Sequence, residues 1–117
     1  MSDYTIYHNP RCSKSRAALA LLEEHGVKPR VIEYLKAAPS VAELKEVVRR
    51  LGAPAETLVR KSEPVYKSAY AGKTLTDAQW IEAMARDPIL IERPIVIHGE
   101  RAVIARPPEK VRELLGS

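Results

Sequence analysis

Cys12 is the only cysteine among 117 residues, and the sequence changes its period across it. Residues 4–8, Tyr-Thr-Ile-Tyr-His, carry the β-branched and aromatic side chains of a strand, whereas residues 16–24, Arg-Ala-Ala-Leu-Ala-Leu-Leu-Glu-Glu, read as a helix. A strand that gives way to a helix within a few residues restricts the fold and sets Cys12 at a helix N-terminus. There the first N–H groups lack intrahelical partners and the helix dipole is positive, and both effects favour S⁻ over SH. Arg11, Lys14 and Arg16 add positive charge nearby, and Ser13 and Ser15 add hydroxyl donors. The plain alternative is an inert, buried cysteine acting as a small apolar residue. Flanking Pro, Arg, Ser and Lys make a poor core environment for it.

The rest of the chain organises itself around that turn. In the first helix Ala18, Leu21, Leu22 and His25 recur at i, i+3, i+4, i+7, and Gly26 fits the stop. Residues 30–35, Arg-Val-Ile-Glu-Tyr-Leu, predict a second strand, so the opening is a βαβ unit with parallel strands. A helical insert at about 37–87 follows. Ser40 with Glu43 forms a capping box ahead of Val41, Leu44, Val47, Val48 and Leu51, and Gly52 closes that helix. Residues 54–61 predict a short helix and residues 63–73 a loop or short helical turns. Thr76 with Gln79 opens another helix, with Ile81, Met84 and Ala85 as its apolar face and Pro88 beyond its end. Residues 94–98 and 101–105 are strand-like runs around the two-residue turn Gly99-Glu100, and Pro107-Pro108-Glu109 begins a last helix with Val111, Leu114 and Leu115 inward.

Counted outward from that turn, Arg93 and Arg106 are equally distant and would face each other at the open end of an antiparallel ladder. Two facing guanidinium groups repel unless an anion lies between them, which suits an oxyanion site. The other reading is a pair of solvated strand-end arginines.

An apolar share of 45% and a charged share of 29% describe an ordinary globular chain, of a length that fits one domain, residues 1–117. No apolar run approaches the ~18 residues of a transmembrane helix, and the N-terminus lacks a signal pattern, so the expected location is cytoplasmic, with no membrane partner. A net charge of +4 suits an anionic substrate, and the scattered basic residues argue against nucleic acid. A single cysteine forms no internal disulfide, so thiol redox chemistry must pass through a second molecule. The three histidines are scattered and unaccompanied by further cysteines, so no metal site is expected.

The order βαβ, helical insert, ββα resembles a thioredoxin-like α/β fold with a mixed four-stranded sheet. Residues 8–16, His-Asn-Pro-Arg-Cys-Ser-Lys-Ser-Arg, resemble the active loop of the glutaredoxin-dependent arsenate reductase family; residues 88–96, 105–109 and 58–61 resemble its other signature segments. The resemblance implies that Cys12 attacks the arsenic of arsenate while Arg60, Arg93 and Arg106 hold the oxyanion. It implies that His8 helps keep the thiol ionised, that the Ser15 hydroxyl supports the thiolate, and that Pro94 is the cis-proline of the fold. It further implies no bound cofactor, glutathione as co-substrate, glutaredoxin as partner, and a monomer. Taken only as residues, His8 and Ser15 are equally a packed strand-end histidine and a first-turn serine.

Other thiol chemistries meet specific objections. A phosphatase-like loop needs C-x5-R, and the required position is Ala18. Cys12-Ser13-Lys14-Ser15 matches the C-x-x-S of monothiol glutaredoxins, against which stand the helical insert and the arginines. A redox regulator of the same superfold that binds RNA polymerase typically relies on C-x-x-C, and Ser15 replaces the second cysteine.

Overall fold

Strand β1 (Tyr4–His8) lies inside the sheet of the computed structural model, which describes residues 4–115. It pairs in parallel with β2 (Arg30–Glu33) and antiparallel with β3 (Ile95–His98), and β3 pairs antiparallel with β4 (Arg101–Ile104). The sheet order is β2-β1-β3-β4. This is the mixed four-stranded α/β sheet that the strand pattern predicts, with β3 running against β1. Strand β2 stops at Glu33, two residues earlier than its sequence suggests, where the chain turns back through the Lys36 N–H to Glu33 O bond.

The chain divides into two compact units, one from residues 1–37 and 93–117 and the other from residues 38–92. Of the single domain read over residues 1–117, residues 1–3 and 116–117 lie outside those described.

In the first unit, α1 (Ser13–Glu24) lays Ser15, Ala18 and Leu22 inward. Together with Ile6, Val96, Val103, Ala105, Val111 and Leu114 its two apolar residues make one core cluster. Each Val, Leu or Ile side chain withdrawn from water there contributes about 1.5–3 kcal/mol. His25, expected on the inner face, is exposed instead: the helix has ended, and its Nδ1 lies 2.9 Å from Leu21 O. The terminal helix starts as a 3-10 turn (Pro108–Val111) and becomes α5 (Arg112–Leu115), burying Val111 and Leu114.

The second unit contains α2 (Val41–Leu51), α3 (Pro64–Ala69) and α4 (Asp77–Arg86). Both capping boxes form, Ser40 with Glu43 and Thr76 with Gln79, and Gly52 takes the left-handed φ of 67° that ends α2. Trp80 is the large core residue outside the apolar face assigned from spacing; it is buried with Ile81, Ala83 and Met84, stacks on Tyr66 and meets Tyr70 at a tilt. The stretch expected as a helix over 54–61 is helical only as a 3-10 turn at Ala55–Leu58. Val59 leaves it to form an antiparallel bridge with Ile91. Among the described residues no helix is long and apolar enough to cross a membrane.

Candidate active site

Cys12 is the N-cap residue of α1, in extended backbone (φ −93°, ψ 121°), one turn past the end of β1. The loop is braced locally. Cys12 N–H donates to Asn9 O at 3.0 Å, Arg11 N–H to Asn9 Oδ1 at 3.0 Å, and the Arg16 guanidinium to Pro10 O at 2.8 Å. Arg16 thus turns one guanidinium nitrogen to the loop backbone, while Arg11 and Lys14 are exposed.

The charge that bears on the sulfur comes from the other end of the sequence. The register His98 with Arg101 through Ile95 with Ile104 continues as Ala105 N–H to Pro94 O at 2.9 Å. The next pair outward is Arg93 with Arg106, as the count from the turn predicts. Arg106 Nη1 donates to Arg93 O at 3.0 Å and lies 3.9 Å from Cys12 Sγ. The Arg93–Pro94 and Arg106–Pro107 peptide bonds are both cis.

Burial pushes the Cys12 thiol up, but the Ser15 N–H, the Arg93 guanidinium and the Lys14 N–H outweigh it. The net result is a pKa below that of an ordinary thiol. Cys12 is half-buried and forms no disulfide, so its sulfur is partly open to solvent.

Ser15 plays a part that its sequence position does not disclose. It is fully buried, its Oγ accepts from Asn9 N–H at 3.0 Å and lies 2.6 Å from His8 Nδ1. It is the backbone amide of Ser15, rather than its hydroxyl, that acts on the sulfur's ionisation. His8 is itself buried, and desolvation lowers its pKa, opposed by Glu33 across the β1–β2 pair and assisted by Arg16. The hydrogen bond between His8 Nδ1 and Ser15 Oγ ties the first turn of α1 to the end of β1.

Arg60 belongs to the second unit and is held there by carboxylates. Its Nη1 donates to Glu92 Oε1 at 2.8 Å, and its Nε lies 3.9 Å from Glu63 Oε2. The backbone fixes the pair as well, with Arg60 N–H on Leu90 O at 2.7 Å and Glu92 N–H on Leu58 O at 2.6 Å, flanking the Val59–Ile91 bridge. The structure therefore brings Cys12, His8, Ser15, Arg93 and Arg106 together in one unit. Glu63 and Glu92 escaped the sequence reading. Glu63 is three residues beyond Arg60, a spacing that occurs by chance, and Glu92 meets it only through the bridge.

The ArsC family model matches residues 7–114. The chain is 46% identical over 113 residues to the uncharacterized protein YfgD of Escherichia coli strain K12, with 95% of each chain covered. It is 45% identical over 112 residues to an arsenate reductase of Haemophilus influenzae, covering 94% of this chain and 97% of that one. A solved arsenate reductase from Vibrio cholerae has a TM-score of 0.90 against it at 48% identity, covering 94% of this chain and 95% of the other.

Proposed function

The chain belongs to the ArsC family, and from that premise we propose that it is an arsenate reductase acting through Cys12. The observation that carries the reading is a cysteine with a lowered pKa at the N-cap of α1, with Arg106 Nη1 3.9 Å from its sulfur and Arg93 beside it.

Arsenate is a tetrahedral anion, and a thiolate attacking it meets like charge. Arg93 and Arg106 offset that repulsion and hold the oxygens by charge-assisted hydrogen bonds. Cys12 S⁻ forms a bond to arsenic while one arsenate oxygen leaves as water, having taken up protons. Glutathione then attacks the arsenic of this thioarsenate ester, and a second arsenate oxygen leaves as water. A glutaredoxin thiolate takes the glutathione sulfur as a mixed disulfide, and the S–As electron pair stays behind and reduces arsenic to As(III). Water finally displaces Cys12 from arsenic, so that arsenite leaves and the Cys12 thiolate is restored. His8 and Ser15 act by position: they hold the α1 N-terminus so that the Ser15 and Lys14 amides face the sulfur. A reaction drawing on reduced glutathione belongs in a reducing compartment, the cytoplasm. No resident cofactor enters this scheme, and the monomer suffices for it.

NADPH oxidation on adding arsenate, with glutathione, glutaredoxin and glutathione reductase present, measures the reaction. Arsenate-dependent turnover that disappears in Cys12→Ser is expected. Absence of turnover with wild-type protein, while Cys12 still alkylates readily at neutral pH, would move the function to another glutathione-linked substrate.

A further inference from the structure

Arg60 does not present a bare cation. Its side chain is 15% exposed, Glu92 is 23% and Glu63 17%, so one guanidinium shares a largely desolvated place with two carboxylates. Glu92 holds Nη1, while the buried Nε, 3.9 Å from Glu63 Oε2, makes no hydrogen bond, so the two carboxylates do not use up the guanidinium's donors. A guanidinium alone treats tetrahedral oxyanions alike, because each offers it the same acceptor oxygens. A carboxylate beside it does not. It accepts hydrogen bonds and donates none, so an anion oxygen that carries a proton gains a short O–H···O⁻ bond. A bare anion oxygen meets like charge with little water to screen it.

We propose that Glu92, with Glu63 behind it, makes the Arg60 subsite select oxyanions that keep an ionisable O–H near neutral pH, such as arsenate and phosphate, over those that have none, such as sulfate. The proposal rests on the reading that Arg60 binds the oxyanion. It makes Glu92 a specificity residue that works partly by rejection. The backbone ladder at Val59 and Ile91 fixes the main chain at Arg60 and Glu92, and the 2.8 Å ion pair holds the carboxylate beside the guanidinium.

The test is calorimetric titration of the purified full chain at neutral pH with inorganic phosphate and, separately, with sulfate, alongside arsenate turnover on the same samples. Wild-type protein is expected to bind phosphate about tenfold or more tighter than sulfate. Glu92→Gln keeps the shape but removes the charge, and its preference should shrink by about tenfold, chiefly through tighter sulfate binding. Glu63→Gln, acting across a longer contact, should shrink it less, and it decides the matter should Glu92→Gln fail to fold by circular dichroism. A wild-type protein that binds neither anion, or binds both equally, overturns the proposal. So does a preference unchanged in the folded variants. Selective phosphate binding that collapses in the variants, in a protein that never turns over arsenate, supports the selectivity and removes arsenate reduction.

Discussion

Arginine is used in two opposite ways in this chain. Arg93 and Arg106 stand at the open end of the β3–β4 hairpin, and what they act on is a sulfur: the Arg93 guanidinium lowers the Cys12 pKa, and Arg106 bridges Cys12 Sγ and Arg93 O. Arg60, in the other unit, acts on carboxylates, with Glu92 at 2.8 Å and Glu63 at 3.9 Å. The first arrangement raises local positive potential and creates a nucleophile. The second cancels most of its own charge and keeps only a directional donor. Identical side chains from three signature segments are therefore set in opposite electrostatic surroundings, two against a sulfur and one against carboxylates.

The contrast is testable, and the largest effect belongs to the sulfur itself. Cys12→Ser should abolish arsenate-dependent NADPH oxidation with an unchanged circular dichroism spectrum. Next, Arg93→Ala should move the pH midpoint of Cys12 alkylation upward and slow turnover roughly 10²-fold, as losing one donor to a developing anion does. Arg60→Ala should weaken arsenate binding by about tenfold while leaving that midpoint in place; a shifted midpoint there would erase the distinction between the two arginine groups. Ser15→Ala leaves the buried His8 Nδ1 and Asn9 N–H without their shared oxygen. In urea unfolding it should cost about 1–3 kcal/mol. The smallest effect is expected from Ser40→Ala, which removes the α2 cap for about 1 kcal/mol and should not change Cys12 alkylation at all.

His8 adds a pH signature to the first region. Its folded pKa lies below the unfolded value of 6.5, because burial disfavours the imidazolium. Between the two values the unfolded chain binds more protons. His8 therefore contributes its full stability above pH 6.5, and the contribution falls away as pH drops through the folded pKa. Urea unfolding as a function of pH checks the sign, and Ser15→Ala should alter the slope there.

Much of the first region is legible in the sequence because its rules are local or countable. Strand, turn and helix around Cys12 follow from period and capping, and the Arg93–Arg106 pairing follows from a two-residue turn whose register propagates outward. What escaped depends on contacts between distant residues. Trp80 joins the core through Tyr66 and Tyr70, and the Arg60–Glu92 pair spans a bridge that single-residue propensities do not encode. His25 was misplaced for a different reason: spacing continues a helical face past the point where the helix ends. Ser15 fits its expected place but contributes its amide to the sulfur and its hydroxyl to His8, a division that residue type alone does not reveal.

The bridge between Val59 and Ile91 also governs how this chain can change its length. With Arg60 N–H on Leu90 O and Glu92 N–H on Leu58 O, the backbone is pinched shut, and everything from Lys61 to Ile89 is a side excursion returning to its starting point. The entropy of closing such an excursion rises only logarithmically, about 0.6 kcal/mol for each doubling. Insertions and deletions in the exposed stretch between α3 and α4 are therefore cheap, and they leave the distance from Arg60 to Glu92 untouched. A chain lengthened or shortened there is expected to keep Arg60 in the same grip of Glu92.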